Sequence, residues 1–195
     1  EHKLRIASDI QLSLLPEHAL SYGALTVAGT CRPAEHVGGD LLDYWRRESR
    51  VCMMVADVTG HDLGAALLAT AFRSVVRAES AECGSAAELA TRVNLAIHSD
   101  LVRSEMLVTF CYMEADLDRR RMTYCSAGHP PPLLIRGKEP RWLEAGGLLL
   151  GVYPETYFEE QSLDLQPGDT LLVYTDGVTE AMNHDREEWG RDRLV

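Results

Sequence analysis

The sequence lacks several features that would each have set its class. No apolar run approaches the length of a membrane span, and the first residues, Glu1-His2-Lys3-Leu4-Arg5, do not read as a signal peptide. Positive charge is in deficit: 19 Lys and Arg against 30 Asp and Glu leave a net charge of −11. That excludes sequence-independent binding to nucleic acid and to anionic lipid, both of which need a basic surface. No Cys-x-x-Cys pair occurs among the five cysteines, 31, 52, 83, 111 and 125. Their number is odd, and Cys52, Cys111 and Cys125 lie in strand-like runs. They read as reduced core residues of a cytoplasmic protein, not as a zinc site or a disulfide frame. There is no internal repeat and no low-complexity segment. What remains is a 195-residue chain, 46% hydrophobic and 25% charged, in the range of one soluble domain with a real core.

Apolar periodicity and punctuation predict the elements. Leu4 to Leu15 has helical spacing, and Pro16 ends it. The sequence opens inside this pattern, so the helix is expected to extend upstream toward another domain. Ala24 to Thr30, Leu41 to Trp45 and Val51 to Val58 read as strands, the last two joined by the polar turn Arg46 to Arg50. Leu63 to Glu79 is rich in Ala and Leu and reads as a buried helix. After Gly84, Ser85-Ala86-Ala87-Glu88 has capping-box spacing and opens a second helix to about Arg103. Then come strands at Leu107 to Asp116, Arg121 to Ser126 and Pro132 to Arg136, and a weakly alternating run at Gln161 to Leu165. The turn Gln166-Pro167-Gly168-Asp169 leads into a strand at Thr170 to Thr175. Gly177 to Asn183 reads as a helical turn and Arg186 to Val195 as the start of a helix. Strands, two adjacent helices, then more strands predict an α+β fold with antiparallel pairing.

Three aspartates stand where such elements end: Asp40 after Gly38-Gly39, Asp57 at the end of the Val51 run, and Asp176 in Thr175-Asp176-Gly177. Strand ends and the loops after them can hold a charged group rigidly beside solvent. Together, three such carboxylates suit Mg²⁺ or Mn²⁺, and two ions about 4 Å apart can activate water for in-line attack on phosphorus. Taken singly, each has another reading: Asp-Gly as a turn, Gly-Gly-Asp as a tight turn, Asp57 as a helix cap. Gly38-Gly39-Asp40 is not a GGDEF cyclase hairpin, because Leu41 and Leu42 follow it. His61-Asp62 is a poor match to an HD phosphohydrolase, because the pair follows a strand.

In order, the chain carries Leu14-Leu15-Pro16, Arg32-Pro33-Ala34-Glu35-His36-Val37-Gly38-Gly39-Asp40-Leu41-Leu42-Asp43, Asp57-Val58-Thr59-Gly60-His61 and Ala65-Ala66. Asn94, Val108-Thr109, Ala127-Gly128-His129-Pro130-Pro131, Pro167-Gly168-Asp169 and Tyr174-Thr175-Asp176-Gly177-Val178-Thr179-Glu180 follow. This set resembles the SpoIIE/RsbU-type bacterial branch of the PPM metal-dependent serine/threonine protein phosphatases, over nearly the whole chain. The resemblance implies an α-β-β-α sandwich of two antiparallel sheets flanked by helices. It implies two Mn²⁺ or Mg²⁺ ions, between which oxygen ligands do not choose. The expected substrate is a phosphorylated STAS-domain anti-sigma-factor antagonist, so that activity releases a sigma factor.

Carried over by motif, Asp57 would bridge both ions with help from the Val58 carbonyl. Asp176 would ligate one ion, and Asp40 would contact the site directly or through water. Asp43 would support the site from behind or lie on the surface of its strand. His61 reads as a loop residue that positions the Asp57 turn or the substrate, in preference to a general acid. His129 reads as fixing a turn, not as binding metal. Asp62 stands where the family usually has Gly, and Leu41 and Leu42 replace its aromatics. The family pattern continues to an Asp-Asp-x-Thr-like motif that this sequence does not reach. The expected division is therefore a linker or switch helix at 1–16, touching an upstream sensor domain or a dimer partner, and a phosphatase domain at 17–195 lacking its C-terminal strands. The alternative function is a catalytically impaired regulatory module that keeps the fold and binds a phosphoprotein.

Overall fold

A computed structural model describes residues 2–34 and 36–195; Glu35, within the Arg32 to Asp40 motif, lies outside the described residues. The first helix, α1 (His2–Ser13), buries none of its residues. Two short strands, β1 (Leu20–Tyr22) and β2 (Leu25–Val27), then form a hairpin where one strand over 24–30 was predicted. Gly23 makes the turn at φ +57°, a left-handed conformation that glycine adopts without penalty. A five-stranded antiparallel sheet follows in the order β3-β4-β5-β6-β9, from β3 (Asp40–Arg47), β4 (Arg50–Val58), β5 (Val108–Asp116), β6 (Arg121–Ala127) and β9 (Glu160–Asp164). A three-stranded sheet of β7 (Leu133–Arg136), β8 (Glu139–Trp142) and β10 (Thr170–Leu172) has the order β10-β7-β8.

Period-two alternation sends the two faces of the large sheet into different cores. Leu41, Met54, Ala56, Val58, Phe110 and Tyr112 pack with Phe72, Val76, Leu89 and Val93 of the helices α2 (Leu63–Ser80) and α3 (Ala86–Ser104). Cys111, Met113, Met122 and Tyr124 point the other way and meet Leu134 and Leu171 of the small sheet and Leu143 just after β8. The α+β sandwich of two antiparallel sheets is thus what forms, with helices over the outer face of the larger sheet. All five cysteines are free thiols, four of them buried. Among the described residues no helix is long and apolar enough to cross a membrane.

Both long helices start as their sequences direct. The Asp62 carboxylate accepts from Ala65 N at 3.0 Å, and Ser85 Oγ accepts from Glu88 N at 3.1 Å. The C-terminal expectations fail in part. β10 ends at Leu172, three residues early, and the helical turn, α4 (Asp176–Thr179), starts one residue early and does not reach Asn183. No helix forms over 186–195 beyond a 3-10 turn at Arg191–Leu194. Asn183 is the cause: its side-chain oxygen accepts from Asp185 N and Glu187 N, and Met182 bridges to Glu188, so a tight hairpin takes the backbone donors a helix would use.

One buried ion cluster ties β3 to α2. Asp43 is 1% exposed. Arg77 grips it with two hydrogen bonds, Nε to Oδ2 and Nη2 to Oδ1, both 2.7 Å. Arg73 Nε, one helical turn earlier, lies 2.9 Å from Oδ2, and the Arg77 guanidinium stacks 4.2 Å from the Trp45 ring centroid. Asp43 is therefore not a surface residue. It faces the helix layer and braces the strand that begins at Asp40. Asp43→Ala strands two arginines at this junction and should destabilise the fold by about 3 kcal/mol, measured by urea denaturation.

Candidate metal centre

Strand register puts the first two acids face to face. In the β3–β4 ladder Asp40 pairs directly with Asp57. Asp57 shares its strand face with Met53, which packs between the sheets, so its carboxylate points toward the seam where the small sheet meets the large one. The third acid arrives from across that seam. The chain leaves β10, passes Tyr174 and Thr175, and opens α4 at Asp176. A β-carbon built on Gly177 would lie 3.9 Å from Asp40 Oδ2 and 4.0 Å from Thr175 Oγ1, which places this turn against Asp40.

The glycine before Asp40 has a packing reason. A β-carbon at Gly39 would fall 2.0 Å from the Val58 carbonyl oxygen and 3.0 Å from Asp57 Oδ1. Any side chain there would drive the two strand ends apart. Gly39 also accepts from Val58 N at 3.2 Å, so its backbone closes the end of the ladder. Gly38 is held from the other side by Gln11 of α1, whose Nε2 donates to Gly38 O at 2.7 Å while its Oε1 accepts from Gly38 N at 3.3 Å.

The electrostatics are those of charges crowded together. Asp57 is pushed up to about 7, first by burial and then by the charges of Asp40, Asp176 and Glu180. Asp40 is also raised, mainly by burial and further by Asp176, against a hydrogen bond from the Thr175 side chain that favours its charged form. Among the described residues no Lys or Arg forms an ion pair with Asp40, Asp57 or Asp176. Nor do any three His, Cys, Asp or Glu side chains among them make a ready metal-holding group. The acids form a coupled set, not a closed coordination shell. Asp40 and Asp57, raised by burial and then by neighbouring charge and without a Lys or Arg partner among the described residues, have the chemistry that fits a hard divalent cation.

The structure thus brings Asp40, Asp57 and Asp176 to one place and puts the Val58 carbonyl beside them. His61 is exposed on the loop after Gly60, whose φ is +103°. Sequence reasoning missed three neighbours. Glu180 lies within the quoted motif one turn beyond Asp176, and that spacing was its signal. Thr175, next to Asp176, reaches Asp40. Cys31 gave no signal; its thiol donates to Asp40 O at 3.8 Å and is pushed up to about 11 by burial, then by Asp40 and Asp57, so it stays protonated.

A family model described as stage II sporulation protein E (SpoIIE) matches residues 47–195. The chain belongs to the SpoIIE family. This SpoIIE-family chain is 28% identical over 185 residues to the phosphoserine phosphatase RsbU of Bacillus subtilis (strain 168), covering 91% of the chain and 53% of RsbU. It therefore spans about half the length of that relative. Among solved structures, the SiaA-PP2C domain of Pseudomonas aeruginosa matches with a TM-score of 0.82 at 21% identity, over 99% of this chain and 78% of that one. RsbX in complex with magnesium matches with a TM-score of 0.65 at 17% identity, over 87% and 82%. At these identities the two structures speak for the fold, which is that of the PP2C phosphatases.

Removing one charge from the metal-free site should stabilise it, with a pH dependence of fixed sign. Because Asp57 titrates higher folded than unfolded, its protonated form carries stability that is fully present below about pH 4. That stability is lost as pH rises through about 7. Asp57→Asn mimics the protonated acid. In chelator it should match the parent at pH 4 and exceed it by about 2 kcal/mol at pH 8, a value discounted for solvent screening of a half-open group. Thermal melts at the two pH values check this, and the variant should lose the rise in Tm that Mn²⁺ gives the parent at pH 8.

Proposed function

We propose that this domain is a metal-dependent serine/threonine protein phosphatase, a phosphoric monoester hydrolase working through Asp40, Asp57 and Asp176. The observation that carries the reading is the pairing of Asp40 with Asp57 across one ladder, joined by Asp176 from the other sheet. In this reading Asp57 would hold both ions, the Val58 carbonyl would assist with one, Asp176 would ligate one, and Asp40 would contact the site directly or through water. Mn²⁺ or Mg²⁺ held there would polarise the phosphoryl group and supply the activated water that attacks phosphorus. The remaining work falls to the chain itself. The Thr175 hydroxyl orients Asp40, and Gly39 lets the two strand ends close.

What supports a phosphoserine protein as substrate is the family and the likeness to RsbU, a phosphoserine phosphatase. We assign it as a phosphorylated STAS-domain protein, an anti-sigma-factor antagonist, with sigma-factor release as the consequence. Hydrolysis of such a phosphoserine protein should require Mn²⁺ or Mg²⁺, and Asp57→Asn should lower the rate at least about a hundredfold. A variant with full metal-dependent activity would overturn the assignment. The absence of a ready metal-holding group among the described residues favours a second reading, a catalytically impaired module that binds a phosphoprotein. Calorimetry separates the two, since that module would bind its partner without binding Mn²⁺.

The N-terminal segment, residues 1–16, reads as a linker or switch helix facing an upstream sensor domain or a dimer partner. What supports this is Gln11, which holds both backbone polar atoms of Gly38, two residues before Asp40. Gln11→Ala should reduce phosphatase turnover about tenfold while shifting Tm by no more than about 2 °C, because the residue is half-exposed and its partner is a surface loop. Unchanged turnover would disconnect α1 from the site.

A further inference from the structure

The two sheets have to be held in register at the site, because Asp57 belongs to one and Asp176 follows a strand of the other. At this end the chain crosses from β6 through Gly128-His129-Pro130-Pro131-Pro132 into β7, and returns from β8 toward β9 past Leu150, which bridges to Val108. Three prolines stiffen the second half of the crossing. Gly128 bridges to Phe110 of β5, fixing the first half to the large sheet. His129 sits between, 6% exposed.

Its ring is anchored on the large sheet. Nδ1 lies 2.8 Å from Thr109 Oγ1. Thr109 is the direct partner of Asp57 in the β4–β5 ladder. The backbone of Tyr174, two residues before Asp176, is the other polar group that acts on the ring, opposing the effect of burial. Nε2 is buried without a hydrogen-bond partner. Burial holds the imidazole neutral, at about 4. A neutral imidazole has one donor and one acceptor nitrogen on opposite edges of a rigid ring, so it can address two groups facing each other across a gap.

We propose that His129 is a positioning residue for the metal centre: a spacer that links the Thr109 position, opposite Asp57, to the Tyr174 backbone that leads to Asp176. It sets the separation of the two carboxylates and touches neither. This inference rests on the phosphatase reading above, and it predicts metal affinity before any turnover.

The test is calorimetric titration of Mn²⁺ into the full chain. The parent should bind. His129→Asn keeps a nitrogen near the Nδ1 position and loses reach toward Tyr174; Thr109→Val keeps the shape and loses the hydroxyl. Each should weaken Mn²⁺ binding about tenfold, and the double variant should be no weaker than the worse single, because the spacer acts as a unit. Thr109→Ser restores the hydroxyl and should recover most of the affinity. A residue that only filled space would lower Tm and leave Mn²⁺ affinity unchanged. Parent-like affinity in both His129→Asn and Thr109→Val therefore overturns the inference while the phosphatase reading stands. Failure of the parent itself to bind Mn²⁺ overturns that reading instead. Should His129→Asn not fold, the comparison of Thr109→Val with Thr109→Ser decides alone: equal affinities in those two refute the spacer.

Discussion

Asp40 and Asp57 stand opposite each other on neighbouring antiparallel strands, and like charges in that position repel. A third carboxylate, Asp176, adds to the repulsion from across the sandwich. Nothing in the local pairing rewards this arrangement, so the surrounding structure has to impose it. Gly39 lets the strand end press against Val58, where any side chain would force it away. Behind it, Asp43 locks the same strand to α2 through two arginines. The acids are held together by a well-packed scaffold that gives them no Lys or Arg partner among the described residues. That contrast, strain at one spot within a consistent fold, is how a site announces itself physically.

The two cores divide the labour. The helix-side core, with Phe72, Phe110 and Tyr112, makes the large sheet rigid, and Phe72 meets Phe110 edge-on with ring centroids 5.1 Å apart. The core between the sheets fixes how far the small sheet stands from the large one. Asp57 depends on the first and Asp176 on the second. Hence the site exists only where both are correct, at the end of the seam.

Much of this could be read from the residues. The strands β3 and β4 and the long helices follow from apolar periodicity and caps, since Asp62 and Ser85 are local signals with local consequences. Asp40 and Asp57 were legible because each closes or opens a strand, and register then brings them together. The ordered motifs added Asp176, whose approach depends on a contact between sheets that no local pattern encodes. The same reason hid Thr175 and Cys31, and it hid the environment of Asp43, whose partners lie thirty residues away on α2. The C-terminal misreading has a different cause. Asn183 is a short side chain that competes for backbone donors, and periodicity does not see that competition.

The first helix, α1, fully buries none of its residues, and the amide of Gln11 links it to the site loop. An element with no fully buried residue belongs at the low end of a protein's local stability scale, where opening needs a small fraction of the global unfolding free energy. Its amide protons should exchange long before those of α2 or β4. For such a helix a contact from outside worth about one or two kcal/mol is a large share of what holds it in place.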